Sequence, residues 1–356
     1  MKETTSASKK WLFQPAAALD IYAQQTAQTR QSALTKPSGA LGRLEDIAIR
    51  LAAMQGNARP SIDRVHIAIF AGDHGVAVEN VSAFPQKVTS EMIKNFAQGG
   101  AAISVLARSI NATLDLINLG TAHDTGLLDN VRNYVLGPGT ANFVHGPAMT
   151  EEQLDQALQA GQEAVNRARQ SNAQIFIGGE MGIANSTAAS ALACILLDTP
   201  PAQLTGPGTG LDADGIAHKL HVIQRALELH NPAATCPMEA LRRVGGFEIA
   251  ALTGAYIRCA HLGLPVIIDG FISSVAALTA VQIQPDTTHW LLFAHRSTEP
   301  GHHHVLNALD ANPWLDLELR LGEGSGAAVL IPILRLACAL HNDMATFTEA
   351  QISEKI

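Results

Sequence analysis

"AQIFIGGEMGIAN", Ala173 to Asn185, is the stretch whose reading decides the fold. A short apolar run, Ile175 to Ile177, ends in a glycine turn with one acid, Glu180, and then opens a helical stretch at Asn185, Ser186 and Thr187. Four other runs follow the same plan: "RVHIAIFAGDHG" (64–75), "ATLDLINLGTAHD" (112–124), "LPVIIDGFISS" (264–274) and "HWLLFAHRSTEPG" (289–301). All but the last are nearly continuously apolar. Strands buried on both faces of a helix-covered parallel sheet read this way, whereas half-exposed strands alternate. Helical periodicity fills the intervals, as in 151–170, opened by the cap Thr150, and in 216–230. The expected class is α/β: a doubly wound, mainly parallel sheet with helices on both faces. Ligands of such sheets bind beyond the carboxyl ends of the strands. The polar tips Asp73 and His74, Glu180, Asp269, and His295, Arg296 and Ser297 are expected to gather there.

The flanks differ. Residues 1–60 and 305–356 read as helical, without strand runs. They either pack together as a small helical domain built from both chain ends or cover the sheet. The expected division is these two parts around a large α/β domain, 61–304. With 47% apolar and 16% charged residues among 356, the chain is too apolar for disorder. A net charge of −8 without a basic run weighs against nucleic acid as a partner. Cys194, Cys236, Cys259 and Cys338 fit no CxxC or zinc spacing and read as reduced thiols of a cytoplasmic protein. The N-terminal stretch "MKETTSASKKWLFQPAAALDIYAQ" lacks the apolar core of a signal peptide. Arg335 interrupts the best candidate for a membrane span, which needs roughly 18 apolar residues.

Three glycine-rich loops carry candidate chemistry. In "LELRLGEGSGAAVLIPIL" (317–334), Gly322, Gly324 and Ala327 fit G-x-G-x-x-G/A. A dinucleotide fingerprint needs a strand before it and a βαβ unit after it. Residues 315–321 read as strand or helix, and the residues after Ala327 read as one helix bent at Pro332, so the second strand is missing. Glu323 is then either a carboxylate complementing a helix dipole or a general base, with Gly322, Gly324 and Gly326 giving substrates room to approach it. In "GGEMGIANSTAAS" (178–190), Gly182, Asn185, Ser186 and Thr187 form either an anion site at a helix N-terminus or a simple cap. "TGPGTGLD" (205–212) adds backbone donors at Gly208 and Thr209; Lys219 beyond it faces either solvent or an anion. "GDHG" (72–75) is a polar strand tip or a metal-binding or catalytic dyad, and "GHHH" (301–304) reads as a loop and not a metal site, because consecutive histidines diverge. The chain has no phosphate-binding G-x-x-x-x-G-K-[ST] and no adjacent Asp pair of the kind that holds ribose and magnesium in diphosphate-dependent phosphoribosyl transfer.

Six segments in register, "KPSGALGRLEDIA" (36–48), "AGDHGV" (71–76), "GGEMGIANSTAA" (178–189), "RRVGGFEIAALTG" (242–254), "LPVIIDGF" (264–271) and "LRLGEGSGAA" (319–328), resemble the nicotinate-nucleotide:dimethylbenzimidazole phosphoribosyltransferase family of cobalamin lower-ligand assembly. The resemblance implies a homodimer that transfers 5-phosphoribose from nicotinate mononucleotide to 5,6-dimethylbenzimidazole, giving α-ribazole 5′-phosphate and nicotinate, with no metal or other cofactor. It puts the catalytic base on Glu323, a second carboxylate near the ribose on Glu180 and a phosphate-side lysine on Lys219. Gly182, Asn185, Ser186, Thr187, Gly208, Thr209, Ser297 and Gly322 are expected around the nucleotide. Phe84, Gln86, Met92, Met181 and Leu321 are expected around the base, the first three within "VSAFPQKVTSEM" (81–92). Phe84 and Met92 take positions that are polar in some members of the family and Met181 one where leucine is frequent, and an adaptable methionine-containing wall points to tolerance for other bases. A different sugar-phosphate transferase, or a nucleotide sensor whose carboxylates only orient a ligand, would use the same edge.

Overall fold

The computed structural model describes residues 7–230, 233–234 and 236–353. Residues 1–6 and 354–356 of the two expected helical flanks, including the start of the stretch read for a signal peptide, lie outside the described residues. In chain order the elements are α1 (Ile21–Ala33), α2 (Arg43–Gln55), β1 (Val65–Gly72), α3 (Lys87–Gln98), α4 (Ala102–Ser109), β2 (Thr113–Gly120), β3 (Val131–Asn133), α5 (Glu151–Gln170), β4 (Ile175–Met181) and α6 (Asn185–Leu197). Then follow α7 (Pro201–Leu204), α8 (Ala213–His230), α9 (Pro237–Val244), α10 (Phe247–Leu262), β5 (Val266–Ile268), α11 (Phe271–Ile283), β6 (Leu291–Phe293), α12 (Gly301–Ala308), α13 (Ser325–Asp343) and α14 (Phe347–Ala350).

The six strands are all parallel and ordered β3-β2-β1-β4-β5-β6. The order reverses between β1 and β4, which opens a crevice at their carboxyl ends. All five apolar runs are strands; β3, three residues long, has no apolar run to announce it. Side chains alternate into two cores. On β1, Ala68 and Phe70 join α5, α6, α10 and α11 on one face, while Ile67, Ile69 and Ala71 join α2, α3, α4 and α13 on the other. The sheet is therefore covered on both sides, the doubly wound arrangement expected.

The flanks touch each other and also pack on the sheet. Arg30 of α1 donates to the carbonyls of His341, Asn342 and Met344, and Leu34 pairs with Thr346, so the two chain ends meet. Helices α2 and α13 also bury their apolar faces on the sheet. By length and composition α13 would pass for a membrane span, but over half of that stretch is buried inside the protein, and Arg335 within it donates to the carbonyls of Ile62, Asp63 and Ile110. All four cysteines are free.

Three local expectations fail. Residues 301–304 are the first turn of α12, not a loop. Residues 315–321 are neither strand nor helix, but coil tied to the sheet by one bridge, Leu315 to His295. Gly178 and Gly179 form no turn and lie inside β4; the chain turns at Gly182 and at Ala184, whose φ is 74°. Thr150, by contrast, caps α5 as read, in a capping box with Gln153.

Helices α5 and α10 touch backbone to backbone. A methyl group on Gly161 would overlap the carbonyl of Ala251, and one on Gly254 the carbonyl of Leu158. Overpacking such a contact costs about 1–3 kcal/mol. Gly161→Ala is therefore expected to lower the stability read from urea unfolding by that amount; an unchanged midpoint would show that the two helices can separate freely.

Candidate active site

A cavity of about 640 Å³ opens beyond the carboxyl ends of β4, β5 and β6. The end of β4 contributes Glu180 to Gly182, the start of α11 after β5 Gly270 to Ser273, and the segment after β6 His295, Ser297 and Glu299. The coil before α13 closes the side with Glu318 to Glu323, and Phe84, Val88 and Met92 form an apolar wall.

Glu323 stands at the mouth of α13 in the left-handed conformation, φ 62°, between Gly322 (89°) and Gly324 (75°). For a residue with a side chain this costs about 1–2 kcal/mol. The glycines here do not clear space for substrates, as the sequence reading has it. A methyl group on Gly322 would run into the Glu180 carboxyl, and one on Gly326 into the His295 ring, so protein groups take that room. The Glu323 carboxyl is buried and accepts one hydrogen bond, from the N–H of Ile103 in the first turn of α4, at 3.3 Å. Burial, reinforced by nearby Asp269, holds it above the usual carboxylate range, although the Ile103 N–H works the other way.

Glu180 is 6% exposed and takes a short hydrogen bond from the Asn185 amide. Burial first, and then the negative neighbours Glu248, Asp269 and Glu323, push its pKa well up. That favours its neutral form in the free protein. Asn185 and Ser186 thus do not cap α6. Its N-cap is Ala184 without a side-chain bond, so the mouth of the helix faces the cavity.

At the other end of the cavity, the Lys219 ammonium is fully buried instead of solvated. It donates to Ser186 Oγ at 3.0 Å and to the Gly206 carbonyl at 3.1 Å. Burial pushes its pKa down to about 8, against the pull of Glu299. Glu299 accepts the Gly208 N–H at 3.0 Å and is itself raised, by burial. Ser82 links to Thr209 at 3.1 Å, which joins the apolar wall to the 205–212 loop.

Of the residues expected from sequence, Glu323, Glu180, Gly182, Asn185, Ser186, Gly208, Thr209, Ser297, Gly322, Phe84, Met92, Met181 and Leu321 line this one cavity. Three do not. Lys219 lies directly behind Ser186. Gln86 turns away and donates to the His74 carbonyl at 3.0 Å. Thr187 is buried without a partner for its hydroxyl. The strand tips also separate. His74 pairs with Glu248 at 2.6 Å, both fully buried, while Arg296 points outward, 4.0 Å from Asp316. His302 of the "GHHH" run is buried with both ring nitrogens engaged, one with Ser274 and one with the N–H of Ser297. Among the lining residues missed by the sequence reading are Val88, Glu299 and Arg320. Val88 had a signal, one helical turn before Met92 on α3; Glu299 had none.

The phosphoribosyltransferase family model matches residues 16–352. A protein of Pseudomonas fluorescens strain SBW25 named nicotinate-nucleotide–dimethylbenzimidazole phosphoribosyltransferase is 57% identical over 345 residues, covering 97% of this chain and 98% of its own length. Its namesake in Pseudomonas aeruginosa PAO1 is also 57% identical, across 98% of this chain and 99% of its own. The crystal structure of CobT from Thermus thermophilus superposes with a TM-score of 0.90 at 42% identity, over 94% of this chain and all of that one. The chain belongs to the nicotinate-nucleotide–dimethylbenzimidazole phosphoribosyltransferase family.

Proposed function

We propose that this enzyme transfers the 5-phosphoribosyl group of nicotinate mononucleotide to 5,6-dimethylbenzimidazole, with Glu323 as the general base. The observation that carries this reading is the polarity of this cavity. A buried carboxylate with a raised pKa stands at one end, and a buried ammonium behind a glycine loop at the other. A nucleotide phosphate suits the Lys219, Ser186 and Gly208 end, where ammonium, hydroxyl and the mouth of α6 converge. That leaves C1′ near the carboxylates and a flat base between Phe84, Met92 and Met181.

The chemistry follows from the substrates. The nicotinate ring leaves as a neutralised pyridinium and needs no general acid. One azole nitrogen attacks C1′ as Glu323 takes the proton from the other, and the C1′–N bond to nicotinate breaks. Attack opposite the leaving group inverts the anomeric centre from β to α. Holding both reactants in line supplies much of the acceleration. No diphosphate departs, so the step calls for no metal. Glu180, whose pKa is raised by burial and by its acidic neighbours, acts here as a hydrogen-bonding partner of the ribose. A homodimer, in which a second copy covers the exposed Phe84 and Leu321 at the cavity mouth, and a cytoplasmic location complete the reading.

Three outcomes test it. Glu323→Gln should lower dimethylbenzimidazole-dependent nicotinate release by ~10²-fold or more; near-normal turnover removes Glu323 as the base, and tight binding of both substrates without any turnover in the native protein favours a sensor. The base must be deprotonated, so kcat/KM should fall as pH drops through the raised Glu323 pKa, above the ordinary carboxylate range. Lys219 must be protonated to hold phosphate, so kcat/KM for the nucleotide should also fall as pH rises past about 8. A flat profile across both limbs contradicts the two roles. In competition assays a purine or a phenol should also be accepted at the apolar wall; strict selectivity for dimethylbenzimidazole refutes that breadth.

A further inference from the structure

The Glu323 carboxylate is poorly held by its own contacts: one N–H at 3.3 Å, on a backbone that runs through three consecutive left-handed residues. Glycine adopts that conformation freely, but Glu323 holds it only where surrounding groups over-determine it. The group that does so lies one strand away. Asp269, which directly follows β5, is 1% exposed. One of its carboxylate oxygens accepts the N–H of Gly324 at 3.1 Å, and the other accepts the N–H of Ala327 at 2.9 Å. These are free donors of the first turn of α13, so one side chain both caps the helix and fixes the exit of the Glu323 loop. His295, after β6, places Nε2 3.4 Å from the same carboxylate. It can come so close only because Gly326 has no side chain to meet its ring.

We propose that Asp269, oriented by His295, is a positioning residue for Glu323: it clamps Gly324 and Ala327 so that the left-handed turn aims the Glu323 carboxylate into the cavity. The inference rests on Glu323 being the base. The charged and titratable groups that face Asp269 are Glu180 from β4, Tyr256 from α10, Glu323 from the loop and His295. Asp269 thus acts on Glu323 twice, through the backbone and through its charge, which is one cause of the raised Glu323 pKa.

The dual action gives a signature that a merely structural role would not leave. In Asp269→Asn, kcat for nicotinate release should fall about tenfold or more, the scale on which misplacing a reacting group slows a step, while KM for both substrates stays near its native value. The acid limb of the pH profile should also move to lower pH, because a negative neighbour of Glu323 is gone. Circular dichroism and the unfolding midpoint establish that the variant is folded. An unchanged kcat, a change confined to KM, or a reduced kcat with an unmoved acid limb overturns the proposal. If the Asn variant does not fold, His295→Gln removes the orienting partner and leaves both N–H contacts. It should lower kcat by a smaller factor at steady KM, and full kcat in it likewise overturns the proposal. Glu323→Gln, assayed alongside, separates the two readings: normal turnover there sinks the base assignment itself, whereas its loss beside a normal Asp269→Asn sinks only the clamp.

Discussion

The carbonyl of Glu323 occupies the space where a side chain on Gly179 would stand. No other residue at 179 would let the Glu323 loop lie down on β4. The neighbouring glycine answers a contact on another element: a methyl group on Gly178 would overlap Leu252 and crowd the Tyr256 ring of α10. β4 is thus stripped of side chains at two successive positions so that α10 and the Glu323 loop can both press on it. Once the loop is seated, α13 has a fixed origin, and Ala327, Ala328, Leu330 and Ile331 fill the second core against the sheet. The cavity exists because this seat places Gly322 against Glu180 and closes the side of the crevice at the β1–β4 reversal.

Burying that edge has an electrostatic consequence. Glu180, Asp269 and Glu323 share a buried region in which several like charges cannot all persist at ordinary pKa values. Glu180 and Glu323 are both raised, and His295 is raised too: burial works against its charge, and Asp269 outweighs burial. At the far end, Lys219 is pulled toward neutrality by the same burial. An anionic group bound beside that ammonium raises its pKa by linkage and so holds the far end in its charged form.

The sheet was legible because burial on both faces writes itself into a strand as an unbroken apolar run. β3 was not, since three edge residues need no such run. The glycines of β4 were read as a turn because their reason lies on α10 and on the loop before α13, elements far away in the chain. Lys219 looked like one charge on an amphipathic helix; its burial depends on α6 and the 205–212 loop folding over it. The helix at 301–304 hid behind three histidines, of which only His302 is committed to the core, by Ser274 and Ser297. The Asp269 clamp is assembled from the ends of β5 and β6 and the start of α13. Sequence put its members at one edge of the sheet without revealing that two of them would serve a third residue, Glu323.

The same logic explains "KPSGALGRLEDIA", a motif none of whose residues lines the cavity. Lys36 and Glu45 form an ion pair at 2.8 Å, and Glu45 accepts the Leu41 N–H at 2.9 Å, so the segment closes on itself at the start of α2. This presents Arg43 to the coil that leads into the site. Its guanidinium lies 4.0 Å from the centre of the Trp314 ring and donates at 2.8 Å to the carbonyls of Pro313 and Asn312. From Trp314 the coil runs along β6, with Leu315 bonded to Ala294 and Thr298 bonded to Leu319, until Arg320 to Gly322 become cavity wall. Arg43 therefore anchors the far end of a strap whose near end is the Glu323 loop. A lysine at 43 would keep the charge but lose the forked donors and the flat face that stacks on Trp314. The requirement at this position is one of shape as much as of charge.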